Sequence, residues 1–227
     1  MPLSQDGYSQ GNANPGASVI VQISTTLIND LIVVFGYTRG GPVTGIADQA
    51  SLTWTRRGRF NYTGGGGSTY TEIWWAISAG VLTTNQITVT CTSSAYIMFG
   101  AVAINGADLT TPFDTNVSLP GFSNSGTVII STSNANDFII CGAENNGSGG
   151  IDTGFTALGS PGSGFITQEY KIVSATQSGL VLGSGIASPL GLTADAVRQA
   201  GSPLGGASFR RSLSAIGTRT GSRQAVM

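Results

Sequence analysis

From about residue 18 to residue 198 short apolar runs alternate with polar, Gly-, Asn- and Ser-rich breaks, and no helical period sustains itself. The pattern predicts strands at 18–23, 31–37, 52–57, 69–77, 86–92, 96–105, 126–131, 137–143, 155–158, 165–173, 178–187 and 192–197. The run at 31–37 is apolar at every second position on both faces, which predicts a central strand. The run at 69–77 alternates instead, with Ile73, Trp75 and Ile77 on one face and Tyr70, Glu72 and Trp74 on the other. Segments 86–92 and 96–105 read as a pair, as do 126–131 and 137–143 about a hairpin turn at Ser133–Asn136. The glycines at 64–67 read as a loop, and no internal repeat stands out. Thr193 could cap a helix start, but the segment is short and follows Pro189, so it reads as a closing strand. The predicted fold is therefore all-β: a single antiparallel β-sandwich, jelly-roll or Greek-key-like, over residues 18–198. An extended N-terminal arm (1–17) and a Gly-, Ser- and Arg-rich tail (199–227) flank it.

Composition narrows the chemistry. Charged residues make up 9% of the 227 residues, against about 25% in an average globular domain. Six basic and eleven acidic side chains lie in residues 1–198, whereas the tail holds four arginines and no acid. There is no histidine, which excludes Ser-His-Asp and Cys-His catalysis. Glu72 beside Trp74 sketches a glycosidase, but a charge keeping a strand face soluble is the simpler reading. Asp48, Asp108 and Asp114 show no calcium-loop spacing. No catalytic residue, cofactor or metal is expected. Cys91 and Cys141 sit in strand-like runs and are expected reduced and buried. Trp74 and Tyr70, in an aromatic-rich stretch, are the candidates for a glycan site. Arg56, Arg57 and Arg59 in the body, with Arg210, Arg211, Arg219 and Arg223 in the tail, are the candidates for partner binding. An acidic body disfavours a nucleic-acid backbone and favours acidic groups on a neighbouring subunit. No run of eighteen apolar residues predicts a membrane span, and the polar start lacks the pattern of a signal peptide.

Several of these segments resemble a recurring bacterial and phage β-sandwich module. They are Asn29 to Phe35, Val43 to Asp48 leading to Trp54, Ile73 to Ala76, Ile87 to Thr90, Val102 to Gly106, Pro112 to Asp114, Thr132 to Ile140 and Ala194 to Ala196. The resemblance covers residues 18–198. It implies a binding or packing unit, of the kind found in phage virion proteins and secreted bacterial surface proteins, with no catalytic residue. With the basic tail attached, it leads to the expectation of a non-enzymatic virion protein of a tailed phage. Such a protein would assemble in the host cytoplasm as a capsid decoration or cement subunit. Its partners would be the major capsid protein, other virion subunits and further copies of itself. The alternative it leaves is a carbohydrate-binding, adhesive module of a phage fibre or bacterial surface protein.

Overall fold

The computed structural model describes residues 1–64, 67–92, 96–145, 150–159, 166–186 and 189–201. Among them lie fifteen strands and no helix, and every ladder is antiparallel. The first half of the chain supplies β1 (Ser4–Ala13), β2 (Ser18–Ile23), β3 (Asp30–Arg39), β4 (Val43–Asp48), β5 (Thr55–Gly64), β6 (Gly67–Ser78), β7 (Asn85–Cys91) and β8 (Tyr96–Asn105). These form a five-stranded sheet, β1-β8-β3-β6-β5, and a three-stranded one, β2-β7-β4. The second half supplies β9 (Gly121–Ser123), β10 (Val128–Ile130), β11 (Asp137–Asn145), β12 (Thr156–Ala157), β13 (Ile166–Val173), β14 (Leu180–Leu182) and β15 (Pro189–Arg198). These form a five-stranded sheet, β12-β13-β11-β15-β9, and a two-stranded one, β10-β14.

The predicted all-β sandwich is present, and its packing runs through four layers. Leu31, Val33 and Phe35 of β3 meet Phe138, Ile140 and Val197, which joins the two five-stranded sheets face to face. Ile32 and Val34, on the opposite face of β3, pack on Val19, Val21, Ile87 and Val89 of the three-stranded sheet. On the far side, Ile139, Cys141 and Ala194 pack on Val128, Ile130 and Leu182 of the two-stranded sheet. Strands β3 and β11 are thus buried on both faces, which is why their sequences are continuously apolar.

The two halves repeat one plan. Taken from its other edge, the second large sheet runs β9-β15-β11-β13-β12, position for position the order β1-β8-β3-β6-β5 of the first. Strands β10 and β14 likewise match β2 and β7. The repeat reaches individual bonds. Ile-Ser-Thr at 23–25 and Asn-Asp at 29–30 recur as Ile-Ser-Thr at 130–132 and Asn-Asp at 136–137. The Thr25 N–H donates to the Leu82 carbonyl and its Oγ1 accepts the Leu82 N–H, both at 2.9 Å. Thr132 makes the same pair of bonds with Gln177, also at 2.9 Å. Inside the strands the identities are few, such as Ile32 with Ile139 and Ala103 with Ala196, so the repeat does not stand out in the sequence as a whole.

Several expectations change. Residues 4–13 are an edge strand paired with β8 along its length, not a loose arm. Glycine permits this: a Cβ on Gly7 would lie 2.2 Å from the Ser24 carbonyl oxygen, and one on Gly11 2.3 Å from that of Ile20. Segments 86–92 and 96–105 do not pair; β7 lies between β2 and β4, and β8 between β1 and β3. Likewise β10 pairs with β14 and β11 with β13 and β15, so Ser133–Asn136 turns between layers rather than within a hairpin. The strand expected at 52–57 begins at Thr55, and β4 and β9 were not expected. The glycine run is a hairpin whose ladder reaches Gly64 opposite Gly67, with 65–66 outside the described residues. Cys91 and Cys141 are free and buried in different inter-sheet cores, as their apolar runs predict. The tail beyond residue 201 lies outside the described residues, and with it Arg210, Arg211, Arg219 and Arg223.

Candidate functional site

The body arginines do not act as one cluster. A bulge between Arg56 and Gly58 and the alternation of β5 send them to different places. Arg57 pairs with the fully buried Asp195 at 2.9 Å and lies over the Phe113 ring, tying β5 to the second half. Burial pushes the Asp195 carboxyl up to about 6, against the pull of Arg57. Arg59 pairs with Glu72 at 2.9 Å and donates to the Val43 carbonyl at 2.6 Å. Arg56 is exposed, 5.8 Å from the Trp74 ring.

Glu72 corrects the picture of an outward charge. It is fully buried, because β4 and its sheet cover that face of β6. Besides Arg59 it accepts the Val43 N–H at 2.8 Å and the Trp74 indole N–H at 3.0 Å. Trp74, a glycan candidate, is half-buried, packed on the core under the three-stranded sheet and covered by Arg56. Tyr70, the other, lies on the same face four residues away, opposite Thr38. A third ion pair, Arg39 with Glu144, bonds at 2.6 Å, and the Tyr62 hydroxyl donates to the same carboxylate. It joins β3 and β5 to β11 across the two halves.

Three carboxyl pairs were not foreseen. Asp30 lies beside Asp6, Asp137 beside Asp114, and Glu169 beside Asp152, whose backbone N–H it accepts at 2.7 Å. Two neighbouring carboxyls can share a hydrogen bond only when one of them holds a proton. In each pair one member, Asp6, Asp114 or Asp152, clasps a turn. Asp6 accepts the Thr26 and Leu27 N–H groups at 2.7 and 2.8 Å. Asp114 accepts those of Ser133 and Asn134 at 2.7 and 2.8 Å, and Asp152 those of Gly183 and Gly185, both at 2.6 Å. Their partners Asp30, Asp137 and Glu169 are fully buried. Burial first, and the neighbouring acid second, raise Asp137 to about 8; burial raises Asp30 to about 6 and Glu169 to about 8. Asp6–Asp30 and Asp114–Asp137 occupy matching places in the two halves. The spacing of these acids along the chain gives no sign of the contacts, since strand order alone brings them together.

A cleft opens elsewhere, at the edge of the first half. Strand β5 starts opposite Trp75, so β6 from Ala76 to Ser78 has no ladder partner on that side. The open space is a cleft of about 670 Å³ between residues 50–55 and 75–82. Trp75 and Ile77 line it, with the exposed Ser51, Thr53 and Thr55 supplying hydroxyls, while the buried Ser78 donates its own to the Gly80 carbonyl at 2.7 Å; none of the lining residues is ionisable. Its irregular wall is tightly held. Asp48 accepts the N–H groups of Ala50 and Leu52 and the indole N–H of Trp54, at 2.7, 3.1 and 2.7 Å. Asn85 adds a second acceptor for the Ala50 N–H at 3.0 Å. Within this wall Ser51 adopts φ 57°, a left-handed conformation that costs a non-glycine residue energy and recurs at functional sites. No helix among the described residues is long and apolar enough to cross a membrane, and no group of three or more Cys, Asp or Glu side chains is disposed to hold a metal. Comparison with known proteins finds no matching family model, no matching curated protein and no matching solved structure.

Proposed function

We propose that the protein is a non-enzymatic structural component of a tailed-phage particle, made in the host cytoplasm. It would serve as a capsid decoration or cement subunit bound to the major capsid protein and to neighbouring copies. By strand order we read each half as a jelly roll, an architecture that recurs in viral capsid and lectin domains. The observation that carries the reading is the outer face of the β10-β14 sheet. Ile129 and Val181 are cross-strand partners there, 61% and 44% exposed. An isolated subunit holds this apolar pair in water, and contact with another protein would remove it. The engagement of Glu72, Glu144 and Asp195 in ion pairs within the body also supports a structural role. The N-terminal segment no longer supports it, because β1 completes its own sheet.

The test is co-sedimentation with shells assembled without the protein. The wild-type chain is expected to bind, and Ile129→Asp to bind at least about ten-fold more weakly, as burying an unpaired charge demands. Its melting temperature should be unchanged, since residue 129 faces outward. A wild-type protein that stays off the shells would overturn the proposal.

A further inference from the structure

We propose that the cleft between residues 50–55 and β6 is a binding site for neutral oligosaccharides. The proposal does not rest on the subunit-contact reading, since a capsid subunit and a free adhesin could each carry such a site. Three independent observations lead to it.

The first is chemistry. The cleft offers the indole of Trp75, fixed by an edge-to-face contact with Phe113 at 5.9 Å. Around it stand the hydroxyls of Ser51, Thr53 and Thr55, and no charge. Sugar rings present apolar C–H faces to aromatic rings and hydroxyls that both donate and accept. A lining of indole and hydroxyl groups matches them, and a charged ligand would find no counter-ion. The volume, about 670 Å³, lies within the range of small-ligand pockets.

The second is preorganisation. The wall has no ladder of its own, yet three donors converge on Asp48 and hold Ser51 in a strained conformation beside the cleft. A loop fixed before the ligand arrives loses less entropy on binding.

The third is the repeat. The second half matches the first strand for strand, except that β4, the strand that leads into the wall, has no counterpart among its described residues. Tyr170 stands where Trp75 does, opposite Ile140 as Trp75 is opposite Val33. The element that builds the cleft is therefore where the halves diverge, whereas the turns that build the fold are retained.

The experiment titrates isotope-labelled full-length protein with cellotetraose, maltotetraose and chitotetraose, with sialyllactose as the charged control, following amide resonances by NMR. At least one neutral sugar is expected to bind with a millimolar or tighter Kd. It should shift Ser51, Thr53, Thr55 and residues 78–82, and sialyllactose should not. Thr53→Arg, at an exposed position that intrudes on the cleft without touching a core, should weaken binding at least ten-fold and keep the wild-type spectrum elsewhere. Trp75→Phe, which keeps a ring against Phe113, should weaken it less. Failure of all three neutral sugars, shifts that map outside the cleft, or full binding by Thr53→Arg would each overturn the proposal, whatever the shell-binding result.

Discussion

Asp137 shows how little a residue's type says about its state. In the sequence it is one of eleven acids; in the fold it is sealed against Asp114, with Thr132 and Arg198 close by. Its folded pKa, about 8, lies far above the ordinary 3.8, so the folded chain holds the proton more tightly than the unfolded one. The stability this provides is complete below about pH 4 and is lost as pH rises through about 8. Glu169 acts in the same direction. Asp137→Asn mimics the protonated acid. Thermal melts should show it near wild type at pH 4 and increasingly more stable than wild type as pH rises towards 9; an equal offset at both ends would refute the raised pKa. Glu72 misleads for a related reason. Alternation correctly assigned its face of β6, but no local signal says that a second sheet covers that face.

At the level of elements, burial pattern decides layer. Strand β7 alternates buried and exposed positions through Asn85, Ile87, Val89 and Cys91, as an outer strand should. Strand β8 is buried at almost every position, as a strand between two layers must be. That difference was legible, and it argues against pairing 86–92 with 96–105; chain proximity suggested the hairpin instead. Strand β1 was illegible because its glycines and polar residues look like a linker until β2 lies against it. The start of β5 was obscured by Asp48, whose hydrogen bonds hold 50–54 out of the ladder. Inner layers are also tied by single side chains. Gln168 of β13 donates to the Phe35 carbonyl of β3 at 2.7 Å and accepts the Tyr8 hydroxyl of β1 at 2.7 Å. It fits because residue 100 is glycine: a Cβ there would lie 1.9 Å from the Gln168 Oε1. Gly100→Ala should therefore cost about 2 kcal/mol in denaturant unfolding, the range for overpacking a core. A loss below about 0.5 kcal/mol would show that Gln168 swings away freely.

For the molecule as a whole, the two thiols report on different depths of the stack. Cys91 lies in the core under the three-stranded sheet and Cys141 in the core under the two-stranded one, and burial raises both, Cys91 to about 12 and Cys141 well above its usual range. Neither should react with a thiol reagent in the native protein at pH 8. In a denaturant series both should become reactive at one concentration if the halves unfold together, because Arg57, Arg39 and the shared middle core bind them. Separate midpoints would show two independent units. The class of fold was readable from strand spacing. The doubling was not, since it rests on strand order and a few turn residues.

That doubling bears on ancestry. The surface each half turns toward its counterpart is the surface a lone half would turn toward a twin. A chain of half this length, associating two by two, is thus a workable precursor. Fusion would have released one copy to acquire a new recess while the other kept the partnership intact.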